Sequence, residues 1–293
     1  MRWRGREEST NVEDRRGMSP RMVAGGGIGA LLLAVLISQL TGIDISSILG
    51  PSAGTAPSST QSTQYQPSQA EQDVTSFVKG ILRSNEKIWG QKFQREGKSY
   101  HNPQMVLYSA QVTSACGMAN AGMGPFYCPG DQKLYLDLSA LGNMERQLKS
   151  NVSFKKAGDS ALAYIVSHEF GHHIQTLMEI SDWLNTQRHR LDTASFNQWQ
   201  VRFELQADCL AGIWAHEDQK LHPERWEERD IPEAIKVAKV VGDDRIQSEL
   251  QGRVRPDTFT HGTSEQRVGW FYEGYRSGNL DKCDTFHLPD PRF

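Results

Sequence analysis

Apolar residues recur three and four positions apart in four segments of the chain, and this spacing predicts helices with one buried face. The first segment covers positions 74–89 and contains Val74, Phe77, Val78, Ile81, Leu82, Ile88 and Trp89. The second and third segments cover 159–178 and 194–217. The fourth begins after Thr263, which together with Gln266 matches the capping-box pattern of a helix N-terminus.

Two shorter stretches, at 106–110 and 134–138, have apolar residues at every second position. This alternation is typical of strands with one buried face. Residues 116–131 lie between the two stretches, are rich in glycine and proline, and are predicted as a loop. The pattern therefore predicts an α+β fold that is mostly helical and contains a small β-sheet.

A continuous apolar run precedes these elements. Residues 22–43 carry no charge over 22 positions, and a helix of that length reaches about 33 Å, enough to cross the hydrocarbon core of a bilayer. Six arginines lie before the run and Asp44 is the first charge after it, so the charge bias predicts a cytoplasmic N-terminus. We therefore expect a single-pass protein of a bacterial inner membrane. Its parts are a cytoplasmic segment 1–21, a transmembrane helix 22–43, a flexible linker 44–72, and a periplasmic or extracellular domain 73–293.

Two other interpretations of the apolar run remain open. A cleaved signal peptide would have its apolar core at 28–37, but no clean A-x-A-like cleavage site follows that core. A buried core helix is the second alternative. The run has no amphipathic pattern that would support it.

Composition and charge exclude several classes of protein. Charged residues make up 23% of the chain and hydrophobic residues 38%, as in soluble globular proteins. This balance excludes collagenous, coiled-coil and polytopic membrane proteins. The net charge is -3 and no basic field is present, so we expect no nucleic-acid partner.

The helix predicted at 159–178 contains the sequence His168-Glu169-Phe170-Gly171-His172, an H-E-x-x-H pattern. Residues four positions apart lie on one helix face, so the imidazoles of His168 and His172 can bind one Zn²⁺. Glu169 lies beside the same site and can accept a proton from water on the metal. The pattern predicts a zinc site with Glu169 as its general base.

A catalytic zinc needs a third protein ligand and one open position. Glu204 and Asp208 lie four positions apart on the helix predicted at 194–217, and therefore on one face. We expect Glu204 to bind the metal and Asp208 to accept a hydrogen bond from a ligand histidine. The alternative is that both are ordinary acids of the helix surface. The strand at 134–138 is expected to form a sheet edge that pairs with an extended peptide substrate.

Two further histidines need an interpretation. His261 precedes the capping box and could donate a hydrogen bond to the oxyanion that forms at the scissile carbonyl. A structural role in its loop is the alternative for His261, and Tyr127 and Tyr135 are alternative donors. His173 adjoins the two ligand histidines, but its position on the helix faces it away from the metal.

Four sequence motifs are found together in this chain. They are H-E-F-G-H-H at 168–173, E-L-Q-A-D-C at 204–209, G-P-F-Y-C-P at 124–129 and T-H-G-T-S-E-Q-R at 260–267. With these motifs the chain resembles the bacterial neutral zinc metallopeptidases of the YpfJ-like family, over nearly its whole length. The resemblance implies a zincin-like fold and a gluzincin-type site in which Glu204 is the third ligand.

Together these features predict a membrane-anchored zinc metalloendopeptidase that hydrolyses a peptide or protein substrate with Zn²⁺ as its cofactor. The alternative is a membrane-tethered zinc protein without turnover that acts as a binding or scaffolding module. The intact Glu169 argues against the alternative. A purely structural zinc site needs no base and is usually closed by four protein ligands.

The four cysteines allow two disulfides if the domain lies in an oxidising compartment. Cys116 and Cys128 flank one short loop rich in glycine and proline, and Cys209 and Cys283 remain for each other. We therefore expect these two pairs. Buried free thiols are the alternative, and a cytoplasmic location would favour them.

Overall fold

The computed structural model describes residues 1–17, 65–120, 124–137 and 154–287. The predicted transmembrane helix 22–43 and most of the predicted linker 44–72 lie outside the described residues. Within the described ranges, no helix is long and apolar enough to cross a membrane.

Helices form most of the described chain. They are α1 (Gln69–Arg95), α2 (Phe154–Leu177), α3 (Ile180–Arg188), α4 (Thr193–Leu221), α5 (Asp230–Val240), α6 (Asp243–Gln251) and α7 (Ser264–Ser277). The four helices expected from apolar spacing correspond to α1, α2, α4 and α7, and the capping box of Thr263 and Gln266 is confirmed. The spacing did not predict α3, α5 and α6, which are only 9 to 11 residues long.

The strands are β1 (Val12–Asp14), β2 (Gln104–Leu107), β3 (Gln111–Ser114), β4 (Gly117–Asn120), β5 (Phe126–Cys128) and β6 (Lys133–Leu136). Four of them form a mixed sheet in the order β1-β2-β6-β5, in which only β5 is antiparallel to its neighbour. β3 and β4 form a separate antiparallel hairpin. The α+β class is confirmed.

Two expectations about the sheet were wrong. The segment 116–131, expected as a loop, contains β4 and β5. The strand expected to form the sheet edge is β6, and it pairs with β2 on one side and with β5 on the other. Because both sides of β6 already have partners, a substrate cannot pair with it. The edge strands of this sheet are β1 and β5, and the glycine and proline around β5 had hidden that strand.

The first residues of the chain are part of this fold. β1 pairs in parallel with β2, and the Arg6 guanidinium donates to both oxygens of Asp218 at 2.9 and 2.8 Å. Both side chains of this ion pair are buried. Met1–Arg15 therefore belongs to the same compact unit as Pro67–Phe293, whereas the sequence analysis expected residues 1–21 as a segment apart from the domain. Arg16–Gln66 forms a second unit.

Two glycines allow α4 and α7 to pack closely. A Cβ at Gly212 of α4 would lie 2.1 Å from the carbonyl oxygen of Phe271, and one at Gly274 of α7 would lie 1.9 Å from that of Cys209. No side chain fits at such distances, so the two backbones touch. This contact packs the second half of α7 against the middle of α4, the helix on which the third metal ligand is expected.

The two disulfides expected from the sequence are confirmed. Cys116 and Cys128 join the β3–β4 hairpin region to the edge strand β5. Cys209 and Cys283 join α4 to the C-terminal segment that follows α7.

Candidate metal centre

Two helices bring three potential metal ligands together. His168 and His172 lie on α2 and Glu204 lies on α4, and one donor atom of each lies within 4.8 Å of the others. The Nε2 atom of His168 is 3.2 Å from Oε2 of Glu204, and Nε2 of His172 is 3.7 Å from the same oxygen. All three residues are buried. Two imidazole nitrogens and one carboxylate, with no fourth donor in the group among the residues that the structure describes, match the chemistry of a catalytic zinc site.

The close approach of α2 and α4 depends on Gly171, between the two histidines. A Cβ at this position would lie 3.0 Å from the carbonyl oxygen of Ala207 and 3.2 Å from its Cα. A larger residue would push α4 away from α2. Glycine here therefore keeps Glu204 within reach of both imidazoles.

Asp208 fixes the ring of His168. Its Oδ1 lies 2.8 Å from Nδ1 of His168. Burial opposes ionisation of Asp208, but the charges of Arg267 and His168 lower its pKa to about 2. An ionised carboxylate can only accept a hydrogen bond, so Nδ1 of His168 donates to Asp208, and Nε2, which faces Glu204, is the nitrogen left for a metal.

Gln175 fixes the ring of His172 in the same way. Its side-chain nitrogen donates to the carbonyl oxygen of Phe203 at 2.7 Å and to Oε1 of Gln206 at 2.9 Å. Its Oε1 therefore faces Nδ1 of His172, at 2.8 Å. Because this oxygen is an acceptor, Nδ1 donates and Nε2 is left for a metal.

The hydrogen bonds that orient His172 extend to the disulfide between Cys209 and Cys283. The Nε2 group of Gln206 donates to the carbonyl oxygen of Cys283 at 3.1 Å, and Cys283 is bonded to Cys209 on α4. The disulfide thus holds in place the acceptor that orients Gln206, which in turn orients Gln175. The pairing of Cys209 with Cys283 supports the metal site as well as the C-terminal segment.

Arg267 and Tyr164 complete the surroundings of Asp208. Arg267 donates from Nε and Nη2 to the two oxygens of Asp208 at 2.8 and 3.0 Å, and the Tyr164 hydroxyl donates at 2.5 Å. Arg267 also donates to the carbonyl oxygen of Val241 at 3.1 Å. These contacts fix both carboxylate oxygens, and Oδ1 keeps its bond to His168.

Arg267, Tyr164 and Gln175 were not predicted as site residues. Tyr164 precedes His168 by four positions and so shares its helix face, which was a usable signal. Arg267 lies within the motif at 260–267, but nothing in the spacing of that motif relates it to Asp208. Gln175 has no sequence signal that distinguishes it from other helix glutamines.

Charge complementarity favours the ionised form of Glu204. Burial opposes ionisation, yet the charge of His172 and the hydrogen bond from His168 hold the pKa of Glu204 well below its usual range. Burial also opposes a charge on His168, but Asp208 and Glu204 raise the pKa of that imidazole. Protons and a metal cation therefore compete for the same anionic position, as expected of a metal site.

The three donors line a cleft of about 860 Å³, within the range of ligand sites. Glu169 lines the same cleft and is only partly buried. The wall beyond the metal donors contains Leu184 of α3 with Phe196 and Phe203 of α4. The cleft is therefore open to a substrate and combines a metal-binding floor with an apolar wall.

His261 also lines the cleft, at the loop before α7. Its Nδ1 lies 3.2 Å from Oδ1 of Asp243, and half of its side chain is exposed. Asp243 also accepts the backbone N–H groups of Thr260, His261 and Gly262. Burial opposes protonation, but the hydrogen bond that the His261 ring donates to Asp243 and the charge of Glu204 raise the pKa of His261. The loop thus holds a histidine whose Nε2 remains for a ligand.

Of three further candidates, His173 and Tyr135 lie outside the cleft and Tyr127 lines it. Nε2 of His173 lies 2.8 Å from the carbonyl oxygen of His101, and its Nδ1 lies 3.1 Å from the Tyr127 hydroxyl. Burial lowers the pKa of His173 to about 4, so the ring is neutral. It ties the edge strand β5 to α2. Tyr135 donates to Asp131 at 2.7 Å and does not line the cleft, whereas Tyr127 does.

Comparisons with known proteins agree with this geometry. Residues 1–286 match the family described as "Putative neutral zinc metallopeptidase". The chain is 40% identical to the uncharacterized protein YpfJ of Escherichia coli, over 98% of this chain and 99% of that protein. It is 39% identical to an uncharacterized protein of Mycobacterium bovis, over 65% of this chain and 64% of that protein. No solved structure matches the chain significantly.

Proposed function

Because the chain belongs to the neutral zinc metallopeptidase family, we propose that it hydrolyses internal peptide bonds with zinc held by His168, His172 and Glu204. The observation that carries this proposal is the convergence of the three donors in an open cleft that Glu169 also lines. A mixed sheet with an antiparallel edge strand next to the helix of the H-E-x-x-H motif supports a zincin-like architecture.

In the proposed mechanism, zinc and the residues of the chain supply different parts of the chemistry. Zinc, when bound, lowers the pKa of water and polarises the substrate carbonyl. Glu169 accepts the proton of the attacking water and passes it to the leaving amine. Asp208 and Gln175 keep the two imidazoles in the tautomer that binds a metal, so that neither ring has to reorganise during turnover.

The edge strand β5 is the proposed docking site for the substrate backbone. Gly124, Pro125 and two of the three residues of β5, Phe126 and Tyr127, line the cleft. One side of β5 pairs with β6, and no strand of the described residues pairs with its other side. An extended peptide can add to such an edge through main-chain hydrogen bonds.

The test of the function is a peptide-library or casein cleavage assay. We expect cleavage that stops when a chelator removes zinc and returns when Zn²⁺ is added back. Metal content measured on the same samples should follow activity. A protein that binds one zinc tightly but cleaves no member of a broad library would favour the binding or scaffolding alternative.

His261 is proposed to donate a hydrogen bond to the developing oxyanion. Replacing it by alanine should lower kcat by about 10² to 10³-fold, the range for loss of one such donor, while zinc content stays unchanged. If the cationic form is the donor, wild-type activity should fall as pH rises through its raised pKa, because the imidazolium is lost there. The His261→Ala variant should lack this fall.

The control for His261 is His189→Ala, which removes an exposed histidine that does not line the cleft. This variant should keep the wild-type rate and pH profile. A purely structural role of His261 predicts instead a lower melting temperature with an unchanged rate in the fraction that stays folded.

We propose an oxidising compartment for the peptidase unit. The two disulfides support this location, because cytosolic thiols are normally kept reduced. Association with a membrane through 22–43 also remains a proposal.

A further inference from the structure

One face of α3 lines the cleft beside the metal donors. This face consists of Ser181, Leu184, Asn185 and Arg188, whose spacing of three, four and seven positions is that of neighbours on one side of a helix. The helix begins beside α2, because the hydroxyl oxygens of Thr176 and Ser181 lie 2.9 Å apart. Arg188 lies in its last turn. The face therefore leads from the metal-binding helix outward to Arg188.

One face of α4 forms a second wall of the same groove. It consists of Phe196, Gln200, Phe203 and Glu204, which all line the cleft. The Phe203 ring stacks on the imidazole of His172, with the two centroids 4.9 Å apart. This wall therefore starts at two metal donors. It ends at Phe196, which lies eight positions, or about 12 Å along the helix, from Glu204.

The two walls meet at Arg188. Its guanidinium carbon lies 4.6 Å from the centroid of the Phe196 ring. Leu184 and Phe196 are at most 8% exposed, whereas Arg188 is exposed. Among the described residues, no carboxylate forms an ion pair with Arg188 and no acceptor takes a hydrogen bond from its side chain. The groove between α3 and α4 is thus apolar along its length and has an unpaired cation at its outer end.

The other charges of the cleft leave this role to Arg188. Arg267 also lines the cleft, but its donors bind Asp208, Tyr164 and the carbonyl oxygen of Val241, and its side chain is only 5% exposed. Asp182 lines the cleft at the start of α3, six positions or about 9 Å along the helix from Arg188. The electrostatics therefore favour an anionic ligand group only at the outer end of the groove.

We propose that this groove selects peptides with a carboxylate about three or four residues from the scissile bond, which the Arg188 guanidinium binds. The inference rests on the proposed function, since it takes the cleft for a peptide site. An extended peptide advances about 3.3 Å per residue, so about 12 Å of groove holds between three and four residues. A guanidinium can bind a carboxylate through two parallel hydrogen bonds. The carboxylate is an acidic side chain or the C-terminus of the substrate.

The first test measures binding without turnover. A library of random peptides, made once with both ends blocked and once with free C-terminal carboxylates, is passed over immobilised Glu169→Gln, and the retained peptides are sequenced by mass spectrometry. Enrichment of glutamate over glutamine in the blocked library identifies a side-chain carboxylate as the ligand. Preferential retention of the free-acid library identifies the chain terminus.

Either preference should disappear when Arg188→Gln is added to Glu169→Gln. The proposal is overturned if neither library shows a preference for the carboxylate, if no peptide is retained, or if the preference survives the loss of Arg188. This measurement needs no cleavage by the wild-type protein.

The second test locates the carboxylate by cleavage. Substrates from the library assay are remade with glutamate or glutamine at each position on either side of the cleaved bond, or as free acids and amides at the C-terminus. We expect kcat/KM to be about 5- to 10-fold higher for the carboxylate form at about three or four residues from the bond, between the effects of an exposed ion pair and of a charge-assisted hydrogen bond. Arg188→Lys should keep part of this preference.

Arg190→Gln is the matched control, because Arg190 is exposed two positions later and does not line the cleft. It should keep the full preference. A purely structural role of Arg188, at the C-terminus of α3 and over Phe196, predicts instead a lower melting temperature of Arg188→Gln with an unchanged preference. Cleavage without any carboxylate preference contradicts this inference alone. A binding preference without any cleavage contradicts the proposed hydrolysis alone.

Discussion

Replacing Glu169 by glutamine is expected to abolish turnover while zinc stays bound. Glutamine keeps the size of the side chain but cannot accept the proton of the attacking water. A general base typically contributes about 10² to 10⁴-fold, and here it also delivers the proton to the leaving amine, so the loss should reach the upper end of this range. Glu169 does not belong to the cluster of His168, His172 and Glu204, so metal content should not change.

The measurement combines a peptide-cleavage rate with the zinc content of the purified protein. Glu265→Gln is the matched control, since it makes the same change at an exposed position of α7. We expect this control to keep full activity. Unchanged cleavage by Glu169→Gln would end the proposed mechanism, because that mechanism assigns both proton transfers to this carboxylate.

Replacing Glu204 by alanine is expected to remove both zinc affinity and activity. Glu204 supplies the anionic donor of the cluster, and its Oε2 faces Nε2 of both histidines. Changes to residues that only support metal ligands typically cost 10 to 100-fold in affinity, so loss of a ligand should cost at least that much. Competition titration with a zinc-binding dye measures this affinity without any substrate.

Gln200→Ala is the matched control for Glu204. Gln200 lies one turn earlier on α4, lines the same cleft and approaches Oε1 of Glu204 at 3.4 Å, but it does not belong to the metal cluster. Zinc affinity should fall less in this variant than in Glu204→Ala, by no more than the 10 to 100-fold typical of a residue that only supports a ligand. Zinc lost in Glu169→Gln but retained in Glu204→Ala would mean that the base and the third ligand have been exchanged in our assignment.

Local spacing was enough to predict the parts of the site that lie on one helix. A helix has a fixed geometry, so the interval from His168 to His172 already places two imidazoles on one face. The same rule relates Glu204 to Asp208, and the capping box of Thr263 and Gln266 is equally local. The fold class followed from apolar periodicity, because amphipathic helices and alternating strands have different repeats.

The tertiary structure decided every feature that joins distant segments. β1 has too short and too polar a sequence to be predicted as a strand, and its place in the sheet depends on β2, about ninety positions later. The edge position of β5 depends on what β6 pairs with, not on the composition of β5.

The residues that orient the metal ligands also depend on contacts between segments that are distant in the sequence. Arg267 reaches Asp208 only because Gly212 and Gly274 let α4 and α7 touch, and Gln175 is oriented through a partner on α4. Sequence by itself determined which residues could bind zinc. It could not determine what holds them in place, because hydrogen bonds between elements depend on the packing of the whole chain and not on an interval along it.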